Sequence, residues 1–456
     1  MRPVGGAIEQ TLGADLFLLL LGAGLLAHVV MYLVTRPRYL TLSFAPALGL
    51  RLPRPLFTAL QVAGIPVFLV LLATGDRVAG VLALAVYACW VGAQNLRISN
   101  HLWLAFLGAA VLVFLPPAEQ VTAARLLLGC VYLISGLVKC NRAFLFSETS
   151  VGRFVLADGL DKVRLRSPRW FAVTSPFVVV LAELGSGVAL LADRGVLAAF
   201  LACVALHFFF GVVGNYHFSL VCLAFWYQAT GAHLPLGELL GGGHLVVLGV
   251  AAVPAVAAYS VVRRVLRSGP RFAAGLSVTV VLTAVYGMAA VAVWRSISAP
   301  GGEPGAWGAG PVVVLVVVVA NFALLLLGVK SEWAFAMFSN VRPYSNARVF
   351  GYRPPWRTTY FRVSWEGGSP EDASGAVPEH VLDQLRDGRH VVSGPVAGEL
   401  ARIAREVGAD VRLVPLVFDD AAQSFVDDPR AGAPARGGPI LVAPIINVDP
   451  AAVHAG

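Results

Sequence analysis

Charge is scarce in this chain. Only 13% of its 456 residues are Asp, Glu, Lys or Arg, whereas 57% are hydrophobic. A soluble chain carries about 25% charged residues, so a string of two or three water-soluble domains is excluded and a polytopic membrane protein is implied. The mean hydropathy of +0.75 agrees. Lysine is scarcer still: three lysines stand against thirty-one arginines. Cysteine is sparse and unpatterned. Cys89, Cys130, Cys140, Cys203 and Cys222 fall in or beside apolar runs with no CxxC and no Cys/His ligand spacing. They read as small core residues, and neither a disulfide framework nor a metal is predicted.

Other absences narrow the function. The sequence has no phosphate-binding glycine loop, no defensible Ser/His/Asp triad and no internal repeat. Its net charge of +8 comes mostly from arginines between apolar segments and in the tail. That distribution marks charges retained on one side of a membrane, and without a basic patch interleaved with aromatics no nucleic-acid partner is expected. The first apolar run, Leu16 to Val34, is long enough to span and lacks a small-residue cleavage site, so it reads as a span rather than a signal peptide.

What is present is a series of apolar runs. About 20 apolar residues cross a bilayer, and on that measure spans are expected near 16–34, 56–73, 78–94, 101–115, 121–139, 173–192, 195–213, 216–229, 244–262, 273–292 and 311–329. "GVVGNY" (211–216) breaks a long stretch into two helices or a re-entrant pair. Residues 141–170 form a polar connection that could lie on the membrane as an amphipathic helix. From Lys330 the composition shifts to an aromatic and arginine-rich collar. Helical patterns follow at 379–387 and 396–407, then β-like runs "VRLVPLVF" and "PILVAPIINV", with a flexible stretch near 419–438. The expected fold is an all-α polytopic membrane helix bundle of about eleven spans over residues 1–330, with a small α+β C-terminal cytoplasmic tail over 331–456.

Loop charge gives an orientation. Arg36, Arg38, Arg51 and Arg54 lie in one loop, and Arg142, Arg153, Lys162, Arg164, Arg166 and Arg169 in another. The link 263–271 adds four arginines, while the alternate loops ("TGDR", "PPAEQ", "ADRG") have almost no positive excess. The positive-inside rule then puts a multi-pass protein in the cell membrane with its N-terminus outside and its tail cytoplasmic.

An ionisable group inside a span is costly unless paired or hydrated. The set here is Arg125, Lys139, Glu183, His207, His217 and, at a span's edge, His101, with Asn100, Ser135, Asn215 and Asn321 as uncharged companions. Lys139 closes its helix and supports two readings: an ammonium that snorkels to the headgroups, or a desolvated amine, whose burial favours the neutral, basic form. Ser135 and Gly136 before it are small enough to admit another helix or a flat ligand. Glu183, in "VVVLAELGSGVALLA", reads as a helix–helix clamp or as a charge partner and proton relay. His207 alone would be a packing group and His101 alone an interfacial one. Together, one per helix on four helices, these residues suit a buried polar site.

Four stretches, in order, resemble the vitamin K-dependent γ-carboxylase superfamily, the horizontally transferred transmembrane (HTTM) domain proteins. "NHLWLAFLG" is similar to the family's Asn-His-aromatic-Leu segment and "VYLISGLVKC" to its Tyr-x-x-x-Gly-x-x-Lys segment. "LAELGSGVALL" is similar to its acidic helix, and "LHFFFGVVGNYHFSLVCLAF" to the histidine-containing helix pair that follows. The tail's "EWAFAMFS" also resembles the family's Trp-x-x-x-Met-Phe-Ser stretch. The sequence departs from the pattern after Lys139, where "CNRAFLFSETSVG" has phenylalanines in place of a Trp and a shifted glycine. The large C-terminal carboxylase domain has no expected counterpart in the 126 residues of the tail, and family carboxylases work on the lumenal side, whereas the loop charges put Lys139 near the cytoplasmic face.

The resemblance implies a catalytic set of Lys139 as the base toward a reduced quinol, His101 positioning the reacting centre, and Glu183 and His207 holding the site or relaying protons. Ser135, Gly136, Asn100 and Asn215 would line the quinol. It implies a menaquinol or vitamin K-type quinol with O₂ and CO₂ as reactants, and carbon-acid deprotonation followed by carboxylation of a peptide or lipid-soluble substrate. Two other readings use the same residues. One is a non-enzymatic membrane factor for maturation or export of a secreted peptide. The other is an ion-coupled transporter, which the missing repeat symmetry disfavours.

Overall fold

The computed structural model describes residues 5–35, 41–46, 49–94, 100–147, 150, 152–153, 168–231, 270–298, 305–327, 359–366, 368–386, 388–419, 424–428 and 445–447. The helices are α1 (Gly5–Thr35), α2 (Arg54–Ala73), α3 (Arg77–Gly92), α4 (Asn100–Phe114), α5 (Pro117–Lys139), the short α6 (Arg142–Leu145), α7 (Arg169–Ala192), α8 (Val196–Phe210), α9 (Tyr216–Thr230), α10 (Pro270–Ser298) and α11 (Ala309–Leu326). Proline punctuates the starts: Pro53, Pro116 and Pro168 occupy the N-cap positions of α2, α5 and α7, where the missing N–H costs nothing because the position lies outside the hydrogen-bonded ladder. Asp76 caps α3 by accepting from the Ala79 N–H at 2.9 Å.

Each expected span that falls within the described residues coincides with a helix; the span 244–262, the collar after Lys330 and most of the 141–170 connection lie outside them. The expectation of about eleven crossings is supported in part. Among the described residues, five helices are long and apolar enough to cross a membrane: α2, α5, α7, Val278–Ser298 of α10, and α11. The apolar stretch Leu16–Val30 of α1, and α3, α4 and α8, are shorter. At about 1.5 Å per residue, 15 or 16 residues extend about 23 Å, less than a hydrocarbon core of about 30 Å. Outward faces rich in Val and Leu on α2, α3, α7, α8 and α11 are exposed, as helices facing lipid require.

α5 is the hub. Of its apolar window 78% is buried, against 28–44% for the other four long helices, and it packs on α4, α7, α9 and α11. "GVVGNY" resolves as an antiparallel hairpin: α8 and α9 are joined by the single π-helical turn Gly211–Asn215. Phe200 meets Trp226, while the Ser219 hydroxyl donates to the His207 carbonyl. A Cβ on Gly211 would lie 2.1 Å from the Tyr216 ring, so the turn needs glycine there.

The tail is an antiparallel sheet of β1 (Tyr360–Glu366), β2 (His390–Ser393), β3 (Asp410–Asp419), β4 (Ser424–Asp427) and β5 (Ile445–Asn447), ordered β4-β3-β1-β2-β5. Helices α12 (Glu379–Arg386) and α13 (Gly394–Glu406) pack on it. The expected helices and the "VRLVPLVF" strand are present; only Ile445–Asn447 of the last run is a described strand. Phe44, from the α1–α2 loop, is fully buried in the tail core beside Phe361, Val381 and Leu400. Arg51 of the same loop pairs with Glu399 at 2.6 Å. The tail therefore sits on the side of the bundle where α1 ends and α2 begins.

Candidate functional site

The α5–α7 interface is built from small residues. A Cβ on Gly187 would lie 2.8 Å from both the Gly129 carbonyl oxygen and the Leu133 nitrogen, and one on Gly136 would lie 2.7 Å from the Leu184 side chain. Glycine at these points lets the two backbones approach closely. The approach brings the last turns of α5 against the middle of α7, where Lys139 meets Glu183.

Lys139 is 1% exposed and Glu183 4%. The ammonium donates to the Ser135 hydroxyl at 2.6 Å and to Glu183 Oε1 at 2.9 Å, and Oε2 lies 2.8 Å from it. Ser135 donates in turn to Oε1 at 3.0 Å. Oε1 thus carries two hydrogen bonds, while Oε2 has a close ionic contact but takes no hydrogen bond among the described residues. Both carboxylate oxygens have two lone pairs, so Oε2 retains the larger accepting capacity.

Lys139 ends α5 but does not lie at an end of the bundle. From Glu183, α7 continues back to Arg169 and on to Ala192, about 21 Å and 14 Å at about 1.5 Å per residue. The pair is near mid-height. Beyond Lys139 the chain folds back over it: Asn141 caps α6 by accepting from the Phe144 N–H at 2.9 Å. Phe144 is buried among Val179, Val180, Leu206 and Phe210. A Lys139 ammonium enclosed by protein and paired with Glu183 disfavours the snorkelling reading, which requires an ammonium free to reach the headgroups.

His207 lies in a hydrogen-bonded chain alongside. Tyr132, Ser135 and Lys139 are at i, i+3 and i+7 on α5 and share one stripe of the helix. The Tyr132 hydroxyl is 2.8 Å from His207 Nε2 and accepts from the Trp226 indole N–H at 3.2 Å. Ser219 Oγ lies 3.3 Å from His207 Nδ1. Both imidazole nitrogens are engaged, and the network ties α5, α8 and α9 together.

His101 is not in that cluster. Its Nε2 is 2.9 Å from His28 Nδ1, and its ring centroid is 4.3 Å from that of His217. The sequence-expected set is thus divided between two places: Lys139, Glu183, Ser135 and the His207 network in one, and His101 in the other. Gly136 serves the α5–α7 contact. Asn100 and Asn215 are half-buried; Asn100 precedes His101 at the start of α4, and the Asn215 carbonyl accepts from the Ser219 hydroxyl at 3.2 Å. Arg125 joins neither cluster; it donates to the Ala229 carbonyl and pairs with Asp193 at 2.8 Å.

Sequence reasoning passed over His28, although it interrupts the apolar run "LLAHVVMYL", which was the available signal. It also passed over Ser219 and Trp226, which no local pattern marks as polar partners, and gave Tyr132 no role although it opens the quoted Tyr-x-x-x-Gly-x-x-Lys segment. Comparison of the chain with protein-family models, with curated proteins and with solved structures gives no match.

Chemically, the Lys139–Glu183 couple is a buried unit of zero net charge. It can accept one proton at the carboxylate while the ammonium offsets an anion formed next to it. A lone buried base could not do both, because desolvation penalises any uncompensated charge.

Proposed function

We propose that this chain is an integral membrane protein that uses the Lys139–Glu183 couple to take a proton from a lipid-soluble quinol, in the manner of the carboxylase superfamily its sequence resembles. The observation that carries this reading is the enclosure of the Lys139 nitrogen, at mid-height of α7, between a carboxylate and a hydroxyl.

The residues fit a weakly acidic hydroxyl. Glu183 Oε2 is the open acceptor, Ser135 fixes Oε1, and the ammonium stands beside the oxygen that would lose its proton. Transfer to the carboxylate leaves the couple with one positive charge, matched by the single negative charge on the donor. The buried volume is neutral before and after. A quinol and O₂, when bound, would supply the oxidation whose energy generates a base strong enough to deprotonate a carbon acid. The chain's own share is to hold the proton and to exclude water. His207 and Tyr132 act from alongside as positioning groups.

The test is quinol-dependent O₂ uptake by the purified protein in detergent, with reduced menaquinone as the probe. Wild type should consume O₂ only when the quinol is present, and Glu183→Gln and Lys139→Ala should both abolish uptake while still inserting. Glutamine keeps the shape of the acceptor but cannot take the proton, and alanine removes the cation that offsets the anion formed. Uptake by Glu183→Gln at the wild-type rate, or none by wild type, would overturn the proposal and leave the pair as a helix clamp.

A further inference from the structure

We propose that His28, His101 and His217 form a binding site for one first-row transition metal ion of the zinc or copper class, with an open coordination position. This does not depend on the quinol reading, because it concerns different residues and is read out by metal content.

The three imidazoles come from three helices, and packing converges them. A Cβ on Gly24 would lie 2.8 Å from the Val221 side chain and 2.9 Å from the His217 carbonyl, so α1 runs against α9 at close range. His28 follows Gly24 by four residues and lies on the same face of α1. On α4, Gly108 fits against the Phe225 ring of α9, setting the height that brings His101 level with His217. His28 and His101 are each 1% exposed.

One ligand atom from each of the three lies within 4.8 Å of the others, and the His101–His28 pair is already at 2.9 Å. Metal–imidazole bonds of about 2.0–2.1 Å in a tetrahedral site require nitrogens about 3.3 Å apart. Small ring rotations suffice to reach that spacing. The ion would replace the proton shared by His28 and His101, since a ligating nitrogen must offer its lone pair.

The donor set selects the ion. Three imidazoles suit zinc and copper, and a three-histidine set leaves a fourth position for an exogenous ligand. No carboxylate belongs to the described cluster, so the protein ligands contribute no negative charge. A divalent ion there needs an anionic fourth ligand such as hydroxide, whereas monovalent copper does not. Trp90 stands beside the site, its ring centroid 5.9 Å from that of His28. Its buried indole N–H has no partner among the described residues and offers a donor to such an anion.

The experiment uses the full chain purified in detergent, loaded separately with Zn²⁺ and with Cu(I), desalted, and measured for metal per protein. One ion per chain is expected from at least one of the two metals. His101→Ala and His217→Ala should each lower that metal's affinity by more than about tenfold, and His390→Ala in the tail should change nothing. Co²⁺ loading supplies a readout independent of folding losses: wild type should give the intense visible bands of a four-coordinate site. His28→Cys, which keeps a ligand, should retain them and add a sulfur-to-cobalt charge-transfer band. Substoichiometric loading of wild type by both Zn²⁺ and Cu(I), or unchanged loading in both alanine variants, would overturn the proposal.

Discussion

Gly187 of α7 faces the carbonyl oxygen of Gly129 on α5 so closely that a single added methyl would stand 2.8 Å from it. Backbone cannot yield as a side chain can, so the two helices must separate or tilt to admit a Cβ. Gly187→Ala should therefore destabilise the bundle by about 1–3 kcal/mol and draw Glu183 away from Lys139. Gly185, two residues earlier, has nothing within 4 Å of a built Cβ. Gly185→Ala should be neutral or stabilising by about 0.5–1 kcal/mol through helix propensity. Melting temperatures of the two variants in the same detergent make the comparison, and equal losses would contradict it.

Removing one member of the buried ion pair should cost more than removing both. Lys139→Met leaves a carboxylate without its cation, and Glu183→Gln leaves an ammonium without its anion; each should cost about 3–5 kcal/mol. The double variant should recover much of that loss, because no uncompensated charge remains. Unfolding of the four proteins in a double-mutant cycle measures the coupling. Quinol-dependent O₂ uptake should stay absent in the double variant despite its regained stability, which separates the pair's contribution to stability from its proposed chemistry.

Tyr132→Phe should strip two partners at once. The Trp226 indole N–H and His207 Nε2 both bond the lost hydroxyl, and an unsatisfied buried polar group costs about 1–3 kcal/mol. Ser219 still engages the other imidazole nitrogen, so the ring should keep its place. Chemical unfolding followed by tryptophan fluorescence should show the loss, and a variant as stable as wild type would show that the network is dispensable.

The tail should release from the bundle when Phe44 is truncated. Phe44 is wholly enclosed in the tail core, and truncating a buried Phe to Ala costs about 3–5 kcal/mol. Limited proteolysis of Phe44→Ala should cut near residue 360 much faster than in wild type. Arg51→Ala should have little effect, about 0–1 kcal/mol, because its side chain is 58% exposed and Arg402 still holds Glu399 at 2.9 Å. Equal protease resistance in all three proteins would mean that the loop does not anchor the tail.

The helical bundle was legible because hydropathy is a local property: ten of the apolar runs fell on helices with boundaries close to those expected. The tail was legible for the same reason, its composition and periodicity changing after Lys330. Span length was less so. α3 and α4 read as crossings from their apolar runs, yet their described helices have 16 and 15 residues, short of the roughly 20 that a crossing takes. The candidate site was half legible. Lys139 and Glu183 were visible as ionisable groups in apolar runs, but the same logic placed His101 with them when it packs with His28 and His217 instead.

Sequence by itself determined that this chain buries ionisable groups among apolar helices, and marked most of them though not His28, because an apolar segment tolerates few such groups. Only the tertiary structure decided which of them meet. Partnership depends on the relative height and rotation of helices far apart in the chain. Those are set by close contacts at Gly24, Gly108, Gly136 and Gly187, where the absence of a side chain, not the presence of a motif, brings one polar residue level with another.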